Sequence, residues 1–353
     1  MKNINLFIFV TVLIINFSNA QEHKEYHLNG NIKEIGVLEN GKKTGEWKLY
    51  YDNGKLRRIE KYSNGSNTGE WKYYHENGKL SDIGEFKNGY RAGEWKSYHE
   101  NGQLKRIGEL ENGNKTGKWK SYHSNGKLHN TIEFINGKAI GEWKFYHDNG
   151  KLQIIGKYSN NEQTGEWKTY RDNGKLLNTR EYNNGKLTGE SNFYHENGKL
   201  SDRGKYSDGK STGEWKHYHS NGSIYQIRLL EDGKLMNIVS CYDNKGNTLE
   251  KGTLLNGNGT VNNYHENGKL SSIGEYSNSE RTGEWKYYHS NDSIYQIKLW
   301  ENGKLMNIVS CYDNKGNALE KGTLLNENGT VNYYDENGNV TTVIKFKDGI
   351  VQE

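Results

Sequence analysis

The apolar positions of this chain recur rather than cluster. Trp47, Trp71, Trp95, Trp119, Trp143 and Trp167 stand 24 residues apart, and the next two steps land on Ser191 and Trp215. The same phase continues through Val239, Val261, Trp285, Val309 and Val331, with two steps of 22, and stepping back from Trp47 meets His23. A fixed period of this length marks a repeat architecture. Three residues past each phase position is a tyrosine: Tyr26, Tyr50, Tyr74, Tyr98, Tyr122, Tyr146, Tyr170, Tyr194, Tyr218, Tyr242, Tyr264, Tyr288, Tyr312 and Tyr334. Just beyond each is a turn signal: Asn-Gly in most repeats, Lys-Gly in two, and Asn291-Asp292 in one. A second signal, such as Asn64-Gly65, Asn88-Gly89 or Asp208-Gly209, ends most repeats.

Asn-Gly tolerates the two positive φ values of a type I′ hairpin turn, so each repeat is expected to be strand, tight turn, strand, second turn. For the repeat at Trp71, a two-residue loop at Asn77-Gly78 sets His75 opposite Leu80, Tyr73 opposite Asp82 and Trp71 opposite Gly84. Alternation then gathers Trp71, Tyr73, His75, Leu80, Gly84 and Phe86 on one face and Glu70, Lys72, Tyr74, Ser81, Ile83 and Glu85 on the other. Glycine opposite Trp leaves room for the indole to lie across neighbouring backbone. The fold class this predicts is all-β: an elongated, twisted, single-layer antiparallel meander of about fourteen hairpin repeats of 22–24 residues.

Composition sharpens this picture. Apolar residues are only 32%, which alone suggests disorder, but Trp 9, Tyr 26 and Phe 8 supply large rings that can bury a thin core. Gly is 43 and Pro is 0; proline would interrupt the ladder of a central strand. Lys+Arg 48 against Asp+Glu 44 leaves +4 with the signs interspersed, so no basic block points to nucleic acid.

Lys2, the apolar run Ile4–Ile15 and Ser18-Asn19-Ala20 read as a signal peptide over residues 1–20, cut after Ala20. The expected product is exported to the periplasm, the outer surface or the medium, without membrane association once the leader is removed. Residues 21–353 then form one repeat array. Within it, SIYQI, GKLMNIVSCYDNKGN and LEKGTLLN from Ser223 return 70 residues later from Ser293, so 223–292 and 293–353 contain a duplication.

The pattern G-E-W-K-x-Y-H-x-N-G-K-L is carried by Gly69, Glu70, Trp71, Lys72, Tyr74, His75, Asn77, Gly78, Lys79 and Leu80 and returns over Gly93–Leu104. It resembles MORN-repeat-variant proteins, including the YwqK-type antitoxin group. The resemblance implies a repeat β-meander with an interaction role and carries over no catalytic residue. The leader departs from that group, whose members would meet a toxin in the cytoplasm.

Nine histidines follow the phase tyrosine directly, among them His75, His99, His123 and His147. Equivalent positions in successive hairpins lie two strands, roughly 10 Å, apart, too far to share a zinc ion. They are expected to be cross-strand partners of leucine. Glu70 with Lys72 and its copies read as a solvated charged face. Cys241 and Cys311 occupy the same position of the duplicated block, six strands or roughly 29 Å apart, beyond disulfide reach. No candidate nucleophile, base and orienting group converge, so no enzyme and no cofactor or metal is expected. The expected function is that of an exported, non-enzymatic scaffold binding another protein, with an antitoxin- or immunity-like role as its finer form. A glycan or cell-envelope module using the aromatic rows is the alternative. The candidate interaction face is Trp71, Tyr73, His75, Trp95, His99, Trp119, His123, Trp143 and His147.

Overall fold

The structure is a computed structural model that describes residues 20–335 and 338–352. The leader assigned to residues 1–20 therefore lies, apart from Ala20, outside the described residues. The described chain is all-β, and none of it is a helix long and apolar enough to cross a membrane. It divides into two bodies. One runs to Gly141 and includes Phe145–Gly150; the other takes Glu142–Lys144 and everything from Lys151.

Each body is an antiparallel meander in which a strand pairs with its neighbours in sequence. In the first body, Ala20–Tyr26 pairs with Ile32–Glu39 and Ile32–Glu39 with Lys42–Tyr50. The ladder continues through Gly69–Tyr74, Leu80–Lys87 and Tyr90–Tyr98 to Leu128–Ile135. The second body repeats the pattern from Leu152–Ser159 to Lys234–Tyr242. It then departs from an unbroken zigzag. The strand after Lys234–Tyr242 shrinks to Thr248–Leu249, and the next strands form a five-stranded sheet, Gly259 to Cys311, and a three-stranded one, Gly329 to Gln352. At both breaks an irregular segment crosses very close to the following strand. A side chain at Gly252 or Gly322 would meet the carbonyl oxygen of Thr260 or Thr330 at 2.3 or 2.2 Å.

The two turns of a repeat differ in kind. Lys87 pairs with Tyr90 around Asn88-Gly89, whose φ values of 52° and 82° are those of a type I′ turn, as expected. The first turn is not a two-residue loop. His75 N–H donates to Lys79 O and Gly78 N–H to His75 O, and of the Asn-Gly pair only Gly78 has positive φ, at 87°. This is a three-residue loop closed by a glycine bulge, so Tyr74, not His75, faces Leu80. The loop gains one residue because the Asn77 side chain holds it from within: its Oδ1 accepts the Lys79 amide at 2.9 Å.

A second irregularity sits beside the phase Trp, as at Trp95. Between Leu80–Lys87 and Tyr90–Tyr98, Ile83 pairs with Lys96 and Glu85 with Ala92, so Gly93, Glu94 and Trp95 stand opposite Gly84 alone. The bulge turns the indole back over the preceding hairpin. Trp71 does pair in register with Gly84, but the ring that covers Gly84 is that of Trp95. A Cβ on Gly84 would lie 2.2 Å from the Trp95 ring, and the same holds for Gly36 under Trp47. The Trp95 indole N–H then reaches Glu85 O at 3.3 Å, and the Trp119 indole reaches Glu109 O at 3.1 Å. Trp95 and Trp119 therefore each tie their own hairpin to the previous one.

Rings complete the stack. In the first body Trp47, Tyr62, Trp71, Phe86 and Trp95 follow one another at centroid distances of 6.4, 5.5, 4.5 and 5.6 Å. In the second, Trp143, Tyr158, Trp167 and Tyr182 do so at 5.6, 5.2 and 5.9 Å. A buried Trp removes about 150–250 Å² from water, worth about 4–6 kcal/mol, which explains how a chain so poor in aliphatic residues forms a core. His23, at the Trp phase of the first repeat, lies on Trp47 at 5.3 Å and closes the end of the stack.

The phase expected for the valine repeats holds at Val261 and Val331, which are buried, but not at Val239 and Val309. There Ile238 is 1% exposed and Val239 is 40% exposed. The bulge glycine is replaced by Asn237, and the two extra residues are absorbed as two separate bulges: Arg228 pairs with Ile238 and Leu230 with Leu235. Splitting the bulge rotates the strand by one residue and turns Ile238 inward.

Candidate functional site

The row proposed as an interaction face is largely occupied by contacts within the chain. Trp71, Trp95 and Trp119 are buried, with Tyr73 half-buried against Trp71 at 6.2 Å. Trp143 is half-buried and packs on Tyr158 and Trp167. Four of the rings also carry a cation on one face. Lys43 Nζ sits 3.9 Å above Trp47, Arg91 4.5 Å above Trp95, Lys115 4.8 Å above Trp119 and Arg281 4.5 Å above Trp285. In each case the cation comes from four residues upstream on the same strand, a relation that sequence spacing alone left unread.

The histidines do not act as partners of leucine. The Nε2 of His75 lies 3.0 Å from Tyr98 O, that of His99 2.9 Å from Tyr122 O and that of His123 3.0 Å from Tyr146 O. Because the acceptor is a carbonyl, Nε2 carries the proton. Tyr51 and Arg171 hold the same place in their repeats and make the same bond, to Tyr74 O at 2.6 Å and Tyr194 O at 2.8 Å. The position therefore selects a donor long enough to reach the next turn. Asn77 Nδ2 and Lys79 Nζ extend the ladder to Glu100 O and Asn101 O, both at 2.9 Å. His147 accepts the Gly150 amide on its own carbonyl, closing the same turn.

One set of donors for a metal lies outside this row: His23, Glu25 and Glu34 of the first hairpin, with ligand atoms within 4.8 Å of one another. Both carboxylates are already engaged. Lys33 lies 2.7 Å from Glu25 and holds its carboxyl below the usual range, and Lys43 lies 3.1 Å from Glu34. Cys241 and Cys311 are free thiols, buried, and burial pushes both upward.

The opposite face is open. Glu70–Lys72, Glu94–Lys96 and Glu166–Lys168 form exposed pairs at 2.8, 2.6 and 2.9 Å along their strands, and each lysine is raised by its carboxylate. Behind two of the glycines that a Trp covers, Gly84 and Gly204, this face is hollowed. In the first body Glu70, Ile83, Gly84, Glu85, Glu94 and Lys96 line about 380 Å³. In the second, the equivalent Glu190, Arg203, Gly204, Lys205, Glu214 and Lys216 line about 490 Å³, together with Tyr218. The geometry repeats while the charge changes, acidic in the first and basic-leaning in the second.

A family model described as the MORN repeat variant matches residues 43–64, 67–88, 91–112, 115–136, 140–160, 163–184, 187–208, 211–232, 258–278 and 281–302. The chain belongs to the MORN repeat variant family. These matches skip the segments around 233–257 and beyond 302, where the Trp phase and the bulge are altered. No curated protein matches. Among solved structures, TcdB2-TccC3 is similar over 90% of this chain and 20% of its own, at 12% identity and TM-score 0.17. An alternansucrase in complex with isomaltononaose is similar over 94% and 23%, at 16% identity and TM-score 0.20. A Tc holotoxin pore of Photorhabdus luminescens is similar over 92% and 22%, at 12% and 0.15. This MORN-variant chain thus spans about a fifth of the length of those structures.

Proposed function

We propose that this MORN-variant protein is a non-enzymatic, exported scaffold whose Glu/Lys/Tyr face binds another protein across several repeats. The observation that carries the reading is the recurrence of one hollow, in the same register, at Gly84 and at Gly204. A repeated hollow of changing charge offers a partner many weak, register-specific grips rather than one pocket, the recognition mode of repeat surfaces. The Trp row supports the same reading by its contacts: Trp95 and Trp119 are buried in the ring stack under Arg91 and Lys115 and order the sheet, leaving the other face free. Export rests on the leader. Cleavage after Ala20 would leave Gln21–Tyr26 of the first strand intact. An antitoxin- or immunity-like role is the finer form of this reading.

The test is capture of partners on chain 21–353. A stoichiometric protein retained by the native chain and lost on Lys72→Glu with Lys96→Glu supports the reading. Retention unchanged by these substitutions overturns the assignment of the face. Glycan binding lost on Trp143→Ala would transfer the function to the aromatic row.

A further inference from the structure

The duplicated block contains a built-in comparison. Between Ser223–Gly268 and Ser293–Gly338 the residues differ at seven positions: Arg228/Lys298, Leu230/Trp300, Asp232/Asn302, Thr248/Ala318, Gly257/Glu327, Asn263/Tyr333 and His265/Asp335. Three of the seven, Lys298, Trp300 and Tyr333, line a single hollow of about 440 Å³ in the second body, where the five-stranded sheet gives way to the three-stranded one. Two more of its walls, Arg281 and Tyr287 of the Trp285 repeat, stand where the Trp215 repeat has Ser211 and His217. Three large replacements meeting in one cavity of an otherwise copied sequence are not what packing alone requires, because the same framework folds with Leu230 and Asn263.

The chemistry of the hollow is an uncompensated positive charge between rings. Lys298 is 9% exposed, its Nζ 4.9 Å from the ring centroids of both Tyr287 and Tyr333 and 3.4 Å from the Tyr333 hydroxyl. Arg281 lies 5.0 Å over Trp300. Lys304 at the rim is neutralised by Glu327 at 3.0 Å, but among the described residues no carboxylate pairs with Lys298 or Arg281. In the first copy the corresponding Arg228 is satisfied by Gln226 Oε1 at 2.5 Å, whereas Gln296 Oε1 has no such partner. A buried cation beside a second cation, with no counter-ion, is strongly unfavourable. Burial and Arg281 lower the Lys298 amine to about 8, so it remains largely cationic at neutral pH. Rings on either side exclude water without supplying charge.

We propose that this hollow is a binding site for a small organic anion with a flat apolar body, its acid group held by Lys298 and Arg281 and its body against Trp300 and Tyr333. The site is separate from the Glu/Lys/Tyr face and does not depend on protein binding there. Calorimetric titration of the mature chain with phenyl phosphate, benzoate and inorganic phosphate tests it. One saturable site per chain is expected for the two aryl anions, with inorganic phosphate at least about tenfold weaker, the equivalent of about 1.4 kcal/mol. Lys298→Met should weaken binding by tenfold or more. So should Trp300→Leu and Tyr333→Asn, which install the residues the first copy already accommodates and therefore separate binding from folding. No saturable binding of either aryl anion, equal affinity for inorganic phosphate, or aryl binding retained in the Trp300→Leu/Tyr333→Asn variant would overturn the proposal.

Discussion

Replacing Gly108 by alanine isolates the contact that joins one hairpin to the next. Gly108 is not in the left-handed region, so alanine meets no backbone strain there. Its Cβ would lie 2.1 Å from Cδ2 of Trp119, where carbon atoms need about 3.5–4.0 Å, so the indole must move by about 1.5 Å. Overpacking of this kind costs about 1–3 kcal/mol, and displacement of the ring also endangers its 3.1 Å bond to Glu109 O, worth about 1 kcal/mol. The expected loss is about 3 kcal/mol. Where Ser191 stands at the Trp phase, the residue eleven positions earlier is Arg180, which lies over Phe193 at 5.3 Å, while Trp71 and Trp143 follow Glu60 and Ile132 at the same interval; the clash is thus a property of the glycine-seated indoles such as Trp119. In a Trp119→Ser background, Gly108→Ala should therefore cost nothing and even gain about 0.5 kcal/mol from reduced chain entropy. The double-mutant cycle predicts a coupling of about 3 kcal/mol. Because a repeat array opens locally, the readout is amide hydrogen exchange of segments within 104–122, with protection falling about 100-fold in Gly108→Ala alone. An equal cost of Gly108→Ala in both backgrounds would refute the argument.

Two further outcomes follow from the geometry. His75→Ala should expose the Tyr98 carbonyl and cost about 0.5–1.5 kcal/mol, seen as faster exchange at the turns flanking Tyr98, whereas His75→Arg should be close to neutral because Arg171 already makes the same bond; equal losses would remove the donor role. Lys298 has a folded-state pKa of about 8 against 10.5, so between these values the unfolded chain binds more protons and stability rises with pH. Denaturation of the native chain minus that of Lys298→Met should reveal this gain, about 2–4 kcal/mol in all, between about pH 8 and 10. A flat difference curve would mean that the amine is not buried as charge.

Periodicity in the residues themselves was enough to specify strands, hairpins, repeat length and the type I′ turn at Asn88-Gly89, because alternation and Asn-Gly chemistry are local. It also marked Gly84 as the partner of a Trp. What it left open was which Trp, since pairing register and ring direction are different quantities: Trp71 is level with Gly84, but the bulge at Gly93 throws Trp95 across it. The histidine ladder was equally out of reach, because its acceptors are backbone carbonyls that lie near only after successive turns stack. The exchange of Val239 for Ile238 arose from losing one bulge glycine, a change whose effect on facing depends on how the neighbouring strand absorbs two extra residues. The hollow around Lys298 combines residues from separate sheets, a proximity that short-range pattern does not encode. Local sequence chose the elements; long-range packing, through bulges and the space each indole demands, chose which side chains meet.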